Sequence, residues 1–78
     1  GDDPRLQELF ARASEYSGNR VRASEAIAES YYLRGQISEA IHQLSRLSKD
    51  PDLTYYQRAR ITARLDEMQE KHAELEES

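Results

Sequence analysis

The residues of this chain with the types and spacing for metal chemistry are its two histidines and the carboxylates near them. Glu39 and His42 have the Glu-x-x-His spacing of di-iron bundle proteins, which places both side chains on one helical face. A di-iron site needs a second such pair, but Gln69 stands three residues before His72. We therefore predict that the chain has no metal site and needs no cofactor.

Hydrolytic chemistry finds no better support in the sequence. The chain contains serines and histidines, but no arrangement of them supplies a nucleophile, a base and a residue that orients the base. It contains no cysteine, which excludes disulfides and thiolate metal sites. We predict that this chain has no catalytic residues and is not itself an enzyme.

A second group of residues could bind a peptide. Two segments carry side chains at spacings of three and four, so the members of each segment share one helical face. Tyrosine and arginine often anchor interfaces, and alanine leaves room for a partner's side chain. The alternative is a solvated charged face with an incidental tyrosine. The predicted peptide-binding groove consists of Arg22, Glu25, Glu29, Tyr32, Tyr56, Ala59 and Ala63.

Four helices are predicted to position these side chains. The first begins at Pro4, with Asp3 as its cap, and ends at Ser17-Gly18-Asn19. The second runs from about residue 19 to residue 33, and Gly35 then lets the chain reverse into a third helix over 38–47. A capping box, Thr54-x-x-Gln57, opens the fourth helix.

The apolar residues of these helices follow the spacing of buried stripes. We expect helix two to bury Ile27, Ala28 and Tyr31. The other expected core residues are Leu6, Leu9, Phe10 and Ala13 in helix one, Ile37, Ala40, Ile41, Leu44 and Leu47 in helix three, and Tyr55, Ala59, Ile61, Leu65 and Met68 in helix four.

The central hairpin resembles a tetratricopeptide repeat. Residues 24–31 carry Ser-x2-Ile-Ala-x2-Tyr and residues 40–44 carry Ala-x3-Leu, followed by Pro51, in a pattern whose period is about 34 residues. A shift of one period brings similar apolar residues into register outside the hairpin. The equivalent pairs are Leu6 with Ala40, Phe10 with Leu44, Ile27 with Ile61, and Tyr31 with Leu65.

The predicted fold is therefore all-α, with residues 1–78 forming a single domain. Four antiparallel helices stack as tetratricopeptide-like hairpins, in the order half repeat, full repeat, half repeat. The alternative is a plain four-helix bundle with the same buried residues. Gly1 is typical of a residue left by cloning, and residues 70–78 are predicted to be a frayed acidic tail.

Residues 30–35, 40–44 and 55–65 also resemble the tail of bacterial periplasmic zinc metalloproteases of the beta-barrel assembly-enhancing type, which have a C-terminal tetratricopeptide domain. The resemblance implies a periplasmic domain that recruits outer-membrane proteins or their assembly machinery to an attached protease. The zinc motif of the family, H-E-x-x-H, is absent from this chain. The alternatives are a regulatory scaffold that packs only against its own protease domain, and a generic helical adaptor.

Charge and hydropathy exclude two other classes of partner. The net charge is −4, which argues against binding to nucleic acid. Residues 66–78 hold six of the acidic side chains against Lys71 alone, so most of the net charge lies in these last 13 residues. No apolar run approaches the roughly 20 residues that span a bilayer. We predict a monomer that binds a protein or peptide and does not insert into membranes.

Overall fold

The computed structural model describes the backbone of residues 4–77 and the side chains of residues 18–77. It consists of three helices, α1 (Pro4–Leu33), α2 (Ile37–Ser48) and α3 (Tyr55–Glu77). The described residues contain no strand, so the prediction of an all-α fold is confirmed. The Asp3 cap and the predicted stripe at Leu6, Leu9, Phe10 and Ala13 lie outside the residues whose side chains are described.

The prediction of four helices is wrong, because the first two predicted helices are one. α1 runs without interruption through Ser17-Gly18-Asn19, where a break was expected. A glycine inside a helix costs only about 0.5–1 kcal/mol relative to alanine, and that cost does not by itself end a helix. The proline at the first position of α1 does mark its start, as predicted.

The turn between α1 and α2 is the reversal that Gly35 predicted. Gly35 has a φ of 79°, in the left-handed region that glycine adopts without strain. Its N–H donates to the carbonyl oxygen of Tyr32 at 3.0 Å, and the N–H of Gln36 donates to that of Tyr31 at 2.9 Å. This pair of bonds is a Schellman motif, which satisfies the last carbonyls of α1.

We expect alanine substitutions at the two described glycines to have opposite effects. A Cβ added at Gly18 or Gly35 would meet no atom within 4 Å, so space does not distinguish the two sites. Gly18→Ala should raise the free energy of unfolding by about 0.5–1 kcal/mol, since alanine is the better helix former. Gly35→Ala should lower it by about 1–2 kcal/mol, because the positive φ strains alanine. Urea unfolding followed by circular dichroism measures both changes in the free energy of unfolding. Changes of the same sign would contradict the placement of Gly18 inside a helix and of Gly35 in a left-handed turn.

The connection between α2 and α3 is held at both ends by local hydrogen bonds. Arg58 reaches back from α3 and donates to the carbonyl oxygens of Ser48 at 2.7 Å and Asp50 at 2.8 Å. The predicted capping box is confirmed: the Thr54 N–H donates to Gln57 Oε1 at 2.8 Å, and the Gln57 N–H donates to Thr54 Oγ1 at 3.1 Å. These bonds fix the direction in which α3 leaves the connection.

The core lies where α2 packs against both α1 and α3. Leu44, Ile61 and Met68 are its largest fully buried side chains. Tyr31, Tyr32, Ile41 and Leu65 are partly buried and pack against it. The buried cluster consists of Val21 and Ala28 from α1, Ala40, Leu44 and Leu47 from α2, Leu53 from the connection, and Ile61 and Met68 from α3.

Three residues that were predicted to be buried are exposed. Ile27 is 47% exposed because α1 does not turn back at Gly18, so no returning helix covers this face. Tyr55 is 81% exposed, and Ala59 is exposed as well. At about 100° per residue, Ala59 lies about 160° round α3 from the buried Ile61, which explains why it cannot share the same stripe.

Candidate functional site

Two arginines of α3 bind two glutamates of α1 on the face that was predicted to form a groove. The Arg60 guanidinium donates to both carboxylate oxygens of Glu25, at 2.9 and 2.6 Å. The Arg64 guanidinium does the same to Glu29, at 2.6 and 2.9 Å. Both pairs join residues 35 positions apart, so a step of four residues along α1 matches a step of four along α3. The two helices therefore run parallel and side by side.

Arg64 has two further contacts. It donates to Glu67, one turn along α3, at 2.9 Å. Its guanidinium carbon lies 4.7 Å from the centre of the Tyr32 ring, within the range of a cation–π interaction. One arginine thus holds a carboxylate and an aromatic ring of α1 at the same time.

The pKa values of the paired groups follow from these contacts. The hydrogen bonds from Arg64 hold the pKa of the Glu29 carboxyl below its ordinary value, although partial burial opposes this. The same carboxylate raises the pKa of Arg64, and Glu25 raises the pKa of Arg60. The Glu29–Arg64 pair is therefore ionised at neutral pH, and its two charges neutralise one another.

The remaining predicted groove residues flank these pairs and are open to solvent. Tyr56 is 81% exposed, and Arg22, Ala59 and Ala63 are exposed as well. Tyr56 lies one helical turn before Arg60, and Ala63 lies three residues after it, so all three share one side of α3. We call this region the α1–α3 surface. It consists of Arg22, Glu25, Glu29 and Tyr32 of α1, and Tyr56, Ala59, Arg60, Ala63 and Arg64 of α3.

The structure thus changes the chemistry that the sequence predicted for this surface. Glu25 and Glu29 are occupied by arginines, and Tyr32 is only partly exposed beneath Arg64. The arginines of these pairs, Arg60 and Arg64, were not among the predicted groove residues. The signal was present, because Glu25 and Glu29 are four residues apart and Arg60 and Arg64 repeat that spacing 35 positions later.

The histidines do not form a catalytic arrangement in the described part of the chain. His72 Nε2 lies 3.1 Å from Ser38 Oγ and 3.6 Å from a carboxylate oxygen of Glu76. Both contacts use the same ring nitrogen, whereas a hydrolytic triad uses one nitrogen for the nucleophile and the other for the acid. Glu39 and His42 are exposed, and residues 18–77 contain no group of three or more metal-ligating side chains.

Within the portion of the chain that the structure describes, no helix has a stretch both long enough and apolar enough to cross a bilayer.

The fold and this surface define a small all-α protein in which arginine–glutamate pairs hold two parallel helices side by side. The chain is 36% identical over 69 residues to the beta-barrel assembly-enhancing protease of Escherichia coli strain K12, and equally to that of Shigella flexneri. The match covers 88% of this chain and 14% of each relative, so the chain spans about one seventh of their length. No family model and no solved structure matches the chain.

Proposed function

We propose that this chain is a protein-interaction domain with tetratricopeptide-like helical hairpins, attached in a longer periplasmic protein to a metalloprotease domain. Its relation to a segment of proteins named beta-barrel assembly-enhancing protease supports the context. Two observations support the tetratricopeptide-like hairpins. The chain makes a tight turn at Gly35, and the α1–α3 ion pairs join residues 35 positions apart, close to the repeat period of about 34. As a monomer, the domain recruits outer-membrane proteins or the machinery that assembles them.

The observation that carries this proposal is the exposure of Tyr56 on the α1–α3 surface. This large aromatic side chain is 81% exposed and has exposed Ala59 and Ala63 on the same side of α3. Tyrosine is enriched among the residues that dominate binding energy, and neighbouring alanines leave space for a partner's side chains. An extended segment can therefore lie along α3 with an aromatic or aliphatic residue beside Tyr56.

The paired charges define what such a partner offers. Glu25 and Glu29 already accept two hydrogen bonds each from arginine, so basic residues of a partner gain little from them. Affinity then comes from aromatic and apolar contacts rather than from ion pairs. Alternating aromatic and polar residues, as in the strands of a membrane barrel, provide such contacts on one side of an extended chain.

The test is a titration of the isotope-labelled chain with a synthetic ten-residue peptide that has the alternating sequence of an outer-membrane barrel strand. We expect amide shift changes at Tyr32, Tyr56, Ala59 and Ala63. Tyr56→Ala should weaken binding at least about fivefold, because truncation of an anchor residue costs more than about 1 kcal/mol.

Tyr55→Ala is the matched control, since Tyr55 is the same residue type with the same 81% exposure on the neighbouring side of α3. Its ring meets that of Tyr56 only edge to face, with 5.7 Å between the ring centroids. It should leave the affinity for the strand peptide within about twofold. Equal losses for Tyr55→Ala and Tyr56→Ala would contradict the assigned surface. If amide shift changes occur only when a protease domain is added, the chain does not recruit peptides and is instead a regulatory scaffold for that domain.

A further inference from the structure

A second side of α3 is open and has a defined shape; it excludes Tyr56 but shares Ala59 and Ala63 with the α1–α3 surface. It forms a shallow depression of about 370 Å³, next to Arg58, which is anchored on the carbonyl oxygen of Ser48 at the end of α2. Tyr55 and Thr62 are exposed along it. We call it the α3 outer face. It is lined by Tyr55, Arg58, Ala59, Thr62, Ala63 and Asp66.

Two positions of this face, Tyr55 and Thr62, correspond to positions on α1 that a helix covers. Shifting the chain by the 34-residue period places Tyr55 on Val21 and Thr62 on Ala28. Val21 is 4% exposed and Ala28 is fully buried, in the cluster that they form with residues of α2. Tyr55, in contrast, is 81% exposed. The side of the α3 outer face that carries Tyr55 and Thr62 therefore corresponds to the side of α1 that α2 covers.

The opposite sides of the two helices support this equivalence. Ile61 is fully buried in the cluster with α2, which precedes α3 in the chain, whereas its counterpart Ile27 on α1 is 47% exposed. Each of the two helices thus has one side for a preceding helix and one for a following helix. In α1 the side for the following helix is covered, whereas in α3 the side for the preceding helix is covered. The α3 outer face is the open second side.

We propose that the α3 outer face binds an amphipathic helix that runs antiparallel to α3, in the way that α2 covers α1. The charges fit this direction. Asp66 then lies near the positive N-terminal end of the bound helix, and Arg58 lies near its negative C-terminal end. The bound helix presents apolar residues spaced three, four and three apart, as Ile37, Ala40, Leu44 and Leu47 are in α2.

The probe is a synthetic peptide covering residues 36–50, which contains α2 and its flanking residues. Titrated into the isotope-labelled whole chain, it should shift the amides of Tyr55, Ala59 and Thr62. Thr62→Arg should weaken binding at least about tenfold, because it places a charge under the apolar side of the peptide. Thr62→Ala, which copies Ala28, should retain the affinity within about twofold. Thr62 is exposed, so both variants should fold.

Two controls separate this proposal from the proposed recruitment function. Tyr56→Ala should leave the affinity for the helical peptide unchanged, although it impairs the strand peptide. A peptide with Leu44→Asp should not bind. The proposal fails if the helical peptide causes no shifts at millimolar concentration, if Thr62→Arg binds it as the unmodified chain does, or if the shifts lie at Val21 and Ala28, where displacement of α2 would place them.

Discussion

Leu44→Ala is expected to lower the free energy of unfolding by about 2–5 kcal/mol, the range for emptied core leucine sites. Leu44 is 1% exposed and belongs to the cluster that α1, α2 and α3 share. Because α2 contacts both α1 and α3, truncating Leu44 leaves a cavity that no single helix can close by moving. Small domains have little stability in reserve, so this loss should bring the variant close to unfolding. Urea unfolding followed by circular dichroism at 222 nm measures it.

Leu33→Ala is the matched control for Leu44→Ala. The substitution removes the same atoms, but Leu33 is 82% exposed at the last turn of α1. Its effect should stay within about 0.5 kcal/mol, as for surface substitutions in general. Comparable losses for the two variants would mean that α2 does not lie between α1 and α3.

The local features of this fold were predictable from the sequence. Gly35 and the capping box of Thr54 and Gln57 act within a few residues, so their chemistry is complete in the local sequence. The burial of Leu44 follows from the periodicity of α2 alone. Such features depend on backbone geometry and not on where a distant helix lies.

The continuity of α1 was not predictable in the same way. Gly18 is a common helix stop, and whether a helix ends there depends on what the next segment gains by turning back. The exposure of Ile27 follows from that outcome and not from its own spacing. The sequence carried a glycine with two possible structural roles, and the local pattern favoured the wrong one.

The candidate site shows the same division between local and distant information. The shared helical face of Glu25 and Glu29 was read from their spacing. Their pairing with Arg60 and Arg64 requires α3 to lie parallel to α1. Local sequence spacing does not predict how two distant helices lie relative to each other. A search for charge spacings that recur with opposite sign about one repeat later would have found these pairs.

Arg64→Ala is expected to lower the free energy of unfolding by about 1–2 kcal/mol. The substitution removes the two hydrogen bonds to Glu29, the one to Glu67 and the stacking on Tyr32. Hydrogen bonds to charged groups contribute about 1.5–3 kcal/mol and exposed cation–π contacts about 0.5–1 kcal/mol, but solvent screening reduces the sum strongly because both partners are partly exposed. Urea unfolding at pH 7 measures the loss. Arg46→Ala, at an exposed position of α2, is the control and should change stability by less than about 0.5 kcal/mol.

The dependence of the Arg64→Ala effect on pH tests its cause. Arg64 lowers the pKa of Glu29 in the folded chain, so the pair stabilises the fold above the unfolded-state value of about 4.3. That contribution is lost as the pH falls from there through the lowered folded-state pKa, because Glu29 is then protonated in both states. The gap between the unmodified chain and Arg64→Ala should therefore narrow between pH 6 and pH 3. When Glu29→Gln is already present, adding Arg64→Ala should lower the free energy of unfolding by the smaller amount already at pH 6. If the effect of Arg64→Ala does not change with pH, the stability comes from packing of the arginine stem and not from its charge.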